Sequence, residues 1–359
     1  MSHVKVKVLL LVQPQHFLHR RQRHTLRFAA GDGAATTFTV LINQDSFVEG
    51  PETLTLTLSN LTGGAGFATP GATTLTATLT IADDVTEPAT NPIDDTDTFV
   101  RQQYRDFLSR EPDAAGLAFW KDNIDKCNDP ARRPAGLTVP QCIELYRINT
   151  SAAFFLSIEF QDTGYYVERI YKTGFGDISP PTVPVPVRFT NFLRDSQEIG
   201  AGVIVGQGSW QTQLDNNKSG FALSFVQRAA FLSRYPGPTS ATEFVNSLNA
   251  NAGGVLSDSE RSALIAELSP NPADPSLRAS VLRKIADNAT LKQREFNRAF
   301  VLMEYFGYLR RNPDAAPDLN FNGYNFWLNQ LNQFNGNFAN ADMVKAFLSS
   351  GEYRQRFGP

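Results

Sequence analysis

Two periods of hydrophobicity divide the chain. From Thr25 to Ala82 apolar and polar residues alternate: Phe38, Val40 and Ile42, then Leu54, Leu56 and Leu58, then Leu75, Leu79 and Ile81, with threonine in most positions between. A period of two puts one set of side chains on each face, which predicts half-buried antiparallel strands. Gly63-Gly64 and Pro70-Gly71 punctuate the connection, and the spacing fits a small sandwich whose remaining strands would lie upstream. Residues 86–96, opening TEPATNPIDD, hold prolines, small polar residues and acids without any period and read as a linker.

Beyond it the period becomes helical. Val100, Tyr104, Phe107 and Leu108 form one stripe of an amphipathic helix that opens near Asp97-Thr98. Pro112-Asp113 breaks the chain and starts a second helix carrying Phe119, Trp120 and Ile124. A helical run from Cys142 to Phe160 follows, and ISPPTVPVPV at 178–187 reads as an extended, polyproline-like connector. The first unit then returns. Val301, Tyr305, Tyr308 and Leu309 repeat the stripe, Pro313-Asp314-Ala315-Ala316 repeats Pro112-Asp113-Ala114-Ala115, and Phe326-Trp327 repeats Phe119-Trp120 after a six-residue insertion. A weaker copy is Phe231-Leu232-Ser233-Arg234, Pro236 and Phe244. Aromatic stripes at helical spacing are core far more often than cofactor sites, so these read as packing faces of three repeated hairpins, with Trp120 and Trp327 in equivalent, largely buried positions.

Charge adds a division of its own. Residues 1–24 carry five basic and no acidic side chains, residues 25–95 carry one basic and nine acidic, and residues 96–359 balance at 27 each. The helical region therefore has no basic field to drive nucleic-acid binding, and none is expected. All four histidines, His3, His16, His19 and His24, fall in the first 24 residues. The rest of the chain cannot build a Ser-His-Asp or Cys-His constellation or a histidine zinc site. Chemistry run by two carboxylates survives this test. Val8 to Val12 is too short an apolar run for a signal peptide, no span long enough to cross a membrane occurs, and residues 1–24 read as a non-native-looking or disordered start. Cys127 and Cys142 are the only cysteines. A disulfide closing the loop between them is the natural reading for an exported protein, and two buried free thiols are the alternative.

Two resemblances carry further expectations. FTVLINQDSFVEGPETLTLTLSN followed by LTATLTIADD resembles the Calx-beta domain, an immunoglobulin-like sandwich that holds calcium at one end with carboxylates from an acidic turn and a closing acidic run. The resemblance places Asp45, Glu49 and Glu52 on the turn and Asp83 and Asp84 on the closing run. Gln44 and Val85 stand where further acids are common. Calcium needs six to eight oxygens, so this partial set implies weak binding. From about Asp97 to Pro359 the chain resembles the bacterial domain of unknown function family 4214, through Tyr104-Arg105-Asp106-Phe107-Leu108, Arg110-Glu111-Pro112-Asp113-Ala114-Ala115-Gly116, Trp120 and Phe347-Leu348-Ser349-Ser350-Gly351-Glu352-Tyr353. Such domains occur mostly in exported, multidomain bacterial proteins. A fainter likeness is to phycobilisome linker domains, which implies assembly.

The expected architecture is multidomain: a partial immunoglobulin-like β-sandwich over 25–85, then an all-α region of repeated helical hairpins over 97–359, divisible into 97–177 and 188–359. Two motifs invite chemistry and fail on detail. Asp318-x-Asn320-x-Asn322-Gly323 opens like a calcium-binding EF-hand loop but lacks the closing Glu at Asn329, so it reads as a polar loop capping a helix. Gly200 to Gly208 is glycine-rich but follows no buried strand, so it reads as a tight loop and not a nucleotide site. The expected function is a non-enzymatic structural, adhesive or interaction module at the cell surface or outside the cell, with a protein or a cell-surface polysaccharide as partner. The alternatives are a carboxylate-dependent carbohydrate-active enzyme and a protein-assembly linker. Paired, buried acids in one pocket between helices would favour the enzyme. A filled aromatic core with acids only on the surface would favour the module.

Overall fold

The computed structural model describes residues 52–59, 61, 72–81, 90–339 and 341–358. Strands β1 (Glu52–Ser59) and β2 (Thr74–Ile81) pair antiparallel, with Leu54 opposite Leu79, Leu56 opposite Ala77 and Leu58 opposite Leu75. The threonine–leucine alternation thus builds the ladder it predicts: one face is leucine, the other threonine. The expected β-sandwich is not what the described residues build. Their only sheet has two strands, the leucines of β1 are half-buried, and Leu75 is 54% exposed. Residues 25–51, with Phe38, Val40 and Ile42, lie outside the described residues.

The rest is helical. In chain order come α1 (Thr96–Gln103), α2 (Ala114–Asp125), α3 (Val139–Phe155), α4 (Ile158–Phe160) and α5 (Tyr166–Phe175). Then follow α6 (Phe189–Gly200), α7 (Trp210–Val226), α8 (Ala229–Arg234), α9 (Ala241–Asn251) and α10 (Asp258–Leu268). The last are α11 (Pro275–Ala286), α12 (Ala289–Gly307), α13 (Asn322–Gln333), α14 (Met343–Leu348) and α15 (Gly351–Arg354). Local chemistry sets many of their ends. Asp95 accepts from the Thr98 amide and opens α1 slightly earlier than its apolar stripe suggests, and Asp113 accepts from the Gly116 amide at the start of α2. Thr138 with Gln141 and Ser257 with Glu260 form capping boxes on α3 and α10.

The chain divides into two compact units: residues 1–105, 110–121 and 351–359, and residues 106–109 with 122–350. In the first, α15 is tied to the segment before α1. Arg354 forms a two-pronged ion pair with Asp94, and Asn91 Nδ2 donates to the Arg354 carbonyl. In the second, rings fill the interior. Phe107, Phe155, Phe160, Phe300 and Tyr308 meet in stacked and edge-on pairs, as do Tyr171, Phe225, Phe231, Tyr235 and Phe244. Cys127 and Cys142 are joined as a disulfide with Cα atoms 5.6 Å apart, which closes the predicted loop and contributes about 3 kcal/mol by chain-entropy arguments.

One expectation is corrected by hydrogen bonding. Polyproline-II chain has no internal hydrogen bonds, yet Ile178 donates to the Val185 carbonyl and Ser179 and Val183 form a bridge, so residues 178–185 double back on themselves. The glycine-rich loop is a loop, as expected: Gly202, Gly206 and Gly208 have φ of +70°, +88° and +53°.

The repeat is physical. After the first stripe Ser109 takes a left-handed φ of 53° and Arg110 N–H donates to the Tyr104 carbonyl; after the second, Arg310 takes 54° and Arg311 N–H donates to the Tyr305 carbonyl. Arg110 lies over the Tyr104 ring at 4.9 Å, and Arg311 over Tyr305 at 5.3 Å. A Cβ on Gly116 would overlap Tyr104 Oη, and one on Gly323 would stand 2.5 Å from Tyr305 Oη. The third copy keeps only the packing. Phe231 and Phe244 are buried, but Ser233 stays within α8, and Arg278 from α11 supplies the cation over Phe244. Trp120 and Trp327 occupy equivalent positions but are half-buried and not largely buried, and each meets an exposed phenylalanine edge-on.

In an ordinary helix, replacing glycine by alanine stabilises by about 1 kcal/mol. Here overpacking of about 1–3 kcal/mol should win. Gly323→Ala is therefore expected to lower the denaturation midpoint, and Tyr305→Phe in that background to recover part of the loss. A midpoint raised by alanine would show that the glycine–tyrosine contact does not exist.

Candidate functional site

A cleft of about 240 Å³ opens where the π-helical turn Gln161–Tyr165 and α5 face α12. Asp162, Tyr165, Glu168, Arg169, Lys292, Glu295 and Phe296 line it, with Ile158, Gln161 and Ala299. Tyr165 and Phe296 stack at 5.6 Å along one wall. The volume lies below the ~300–1,000 Å³ of ordinary small-molecule pockets.

Its charges are mostly committed. Asp162 pairs with Lys218 at 2.6 Å, Lys292 lies 3.3 Å from Asp287, and Arg169 donates to the Ala286 carbonyl. Arg298 bonds Asp177 at 2.8 Å and lies 3.1 Å from Glu295, although that contact is not aligned as a hydrogen bond. Glu168 is the exception. It is fully buried, and among the described residues neither carboxyl oxygen has a hydrogen-bond partner. Burial pushes its carboxyl well above the usual range and the Glu295 charge adds to the rise, while Arg298, Arg169 and Lys172 oppose it. Glu304 on α12 is also fully buried and unpartnered, and burial alone pushes it up. Tyr165, buried with no hydrogen-bond partner for its hydroxyl among the described residues, is pushed up by burial and then by Glu304 and Glu168. Burial thus favours the protonated form of both acids, as a buried carboxylate without a partner costs far more than the neutral acid.

Sequence reasoning missed this group. A signal was there: Glu304 is the only charged residue in AFVLMEYFG, residues 299–307. The acids singled out from sequence cannot be compared with it. Asp45, Glu49, Asp83 and Asp84 lie outside the described residues. Glu52 opens β1, and its Cα partner is Ile81, so the entry to β1 and the exit from β2, which the two acidic segments flank in sequence, share one end of the ladder. Among the described residues no cluster of three or more His, Cys, Asp or Glu is placed to hold a metal. The EF-hand-like loop spends its donors internally, as a helix cap would: Asp318 pairs with Arg311 at 2.7 Å, and Asn320 Oδ1 accepts from the Asn322 amide at the start of α13.

At the surface, the repeated aromatic pairs are the other distinctive feature. Phe119 meets Trp120 edge-on at 4.9 Å and 78°, and Phe326 meets Trp327 at 5.0 Å and 76°. Phe119 is 59% exposed and Phe326 52%. No helix of the described residues is long and apolar enough to cross a membrane. The chain matches no protein-family profile, no curated protein and no solved structure.

The buried acids set a pH dependence. Between about pH 4.5, where a free glutamate titrates, and the raised pKa of folded Glu304, the folded chain holds more protons than the unfolded one, so stability falls as pH rises. Asp177 has the opposite sign. Burial would raise its pKa, but Lys172 and Arg298 together hold it below 3.8, so its contribution is lost as pH falls through that depressed value. A stability maximum at mildly acidic pH is expected. Glu304→Gln should flatten the alkaline side of the profile, read from melting temperatures between about pH 4 and 9. An unchanged profile would mean that the carboxyl is not buried unpaired.

Proposed function

We propose that the chain is a non-enzymatic interaction module of an exported bacterial surface protein, binding a protein or a cell-surface polysaccharide through its helical region. The observation that carries this reading is the aromatic pair built twice, at Phe119–Trp120 and Phe326–Trp327, with the same edge-on geometry and the phenylalanine left open to water. A ring left exposed forgoes about 1.5–3 kcal/mol of burial, and anchored aromatic rings are the groups that carry binding energy at interfaces. The Cys127–Cys142 disulfide supports an extracellular or cell-surface location, since such bonds persist in oxidising compartments.

A carboxylate-dependent carbohydrate-active enzyme is favoured by one observation, the presence of Glu168 and Glu295 on one cleft. Against it, the Glu168 oxygens are sealed from solvent, so a substrate could not take their proton without α5 parting from α12. The two readings separate cleanly. The full chain should co-sediment with isolated bacterial envelopes, Phe119→Ala/Phe326→Ala should reduce that retention at least tenfold (~1.4 kcal/mol), and soluble polysaccharides should yield no new reducing ends. Reducing ends that appear with the native chain and vanish with Glu168→Gln would establish the enzyme instead.

Weak calcium binding by Asp45, Glu49, Glu52, Asp83 and Asp84 belongs to the same proposal, supported by the strand register, in which Glu52 at the start of β1 is the Cα partner of Ile81 at the end of β2. Calorimetry of the full chain should give a dissociation constant of about 10⁻⁴–10⁻³ M and no binding heat for Asp83→Asn/Asp84→Asn. Equal heats from the two proteins would leave these acids as solvated turn residues.

A further inference from the structure

From Leu319 to Ala341 the chain reads LNFNGYNFWLNQLNQFNGNFANA, which has eight asparagines, two glutamines, six aromatic residues and no charge, in a protein that is 19% charged. Most of this segment is α13. One face of the helix is inward: Tyr324 and Leu331 are buried, Tyr324 Oη donates to the Arg298 carbonyl on α12, and Asn297 of α12 donates to Asn332. The other face presents Asn322, Asn325, Phe326, Asn329 and Gln333 to solvent at helical spacing, flanked by exposed Leu319 and Phe334. The side-chain amides of Asn325, Asn329 and Gln333 make no hydrogen bond to a described residue. Trp327 lies beside Phe347 at 5.7 Å, so the indole that supports Phe326 is itself held from behind.

We propose that this face binds an uncharged polysaccharide. The inference rests on the interaction-module reading and names its partner. Each side-chain amide both donates and accepts, which matches a hydroxyl, and a row of them spaced along a helix matches the repeated hydroxyls of a glycan chain. Phe326 and the indole edge offer apolar surface to the C–H faces of a sugar ring. The absence of charge supplies the selectivity: nothing here would pair with a uronate, sulfate or phosphate, and nothing would attract a basic polymer. A protein partner fits less well, because interface centres are enriched in arginine and contiguous aromatics, and here the exposed apolar groups are separated by amides. Arg311 and Asp318, at the loop that leads into α13, neutralise each other.

Affinity electrophoresis of the full chain through gels holding dextran, laminarin or alginate tests this. Retardation by at least one of the two neutral glucans, unchanged between about 0.05 and 0.5 M salt, is expected, with alginate giving none; a charge-driven contact would weaken over that range. Phe326→Ala/Asn329→Ala should reduce affinity at least tenfold, and Asn325→Asp/Asn329→Asp, which keeps shape and adds charge, should do the same. All three sites are exposed, and an unchanged melting temperature would confirm folding. Migration unaffected by either glucan, or retardation that both variants keep, overturns the proposal. Envelope binding that is lost with Phe119→Ala yet kept by these variants would overturn it and leave the interaction-module reading standing.

Discussion

A side chain at Gly307 would overlap the Phe107 ring, and this close approach governs how the helical region is built. It lets α12, the longest helix, settle against aromatic rings: Phe300 stacks on Phe155 at 5.3 Å, Tyr308 meets Phe107 at 5.3 Å, and Phe306 meets Phe192 at 4.9 Å. Rings at such distances lock one another's rotamers, so the interior is a fixed mould and not an adaptable one. The hydroxyls follow the rings. Tyr308 Oη bonds Ser151, and Tyr171 Oη donates to the fully buried Asp195, which Arg194 and Arg228 neutralise.

Against that background the unpaired acids are exceptions with a cause. Asp195 shows that this fold can bury a carboxylate when two guanidiniums and a phenol surround it. Glu304 has none of these and Glu168 has cations nearby without a hydrogen bond to any of them, so burial favours the neutral form of both. The same chain thus solves the problem of a buried carboxyl in two ways, by pairing and by protonation. Protonation makes the interior around α5 and α12 sensitive to alkali, while Asp177, held below the usual carboxylate range by Lys172 and Arg298, adds sensitivity to acid.

How far these features could be read in advance depended on their range. Alternation in TLTLTL and TLTATLT determines a ladder because each residue's face is local information, and the Leu54–Leu79 and Leu58–Leu75 pairings follow from it. The hairpin repeat was legible because Tyr104, Pro112, Gly116 and Trp120 recur as a set. Whether Trp120 is buried was not, since that depends on what covers α2, and the exposed Phe119 beside it carries no such signal. The Glu168–Glu295 neighbourhood was invisible for the same reason: α5 and α12 meet only in three dimensions. Pro-rich 178–187 misled because prolines favour extended backbone locally, whereas Ile178 and Val185 find each other across the turn.

Duplication explains why one plan carries two chemistries. Tyr104 and Tyr305, Gly116 and Gly323, Arg110 and Arg311 occupy the inner side of each hairpin, where a change in one must be met by a change in another. The outer sides are under no such constraint. On α2 the outer side carries Lys121, paired with Asp97, and Asp122, paired with Arg132. On α13 the corresponding turns carry Leu328, Asn329 and Gln330, without a charge. Exposed ion pairs and exposed amides contribute little to folding, typically within ~1 kcal/mol, so stability cannot account for replacing one by the other. What differs between the two surfaces is their chemistry: α2 presents fixed charges beside its ring, and α13 presents hydrogen-bonding groups that carry none.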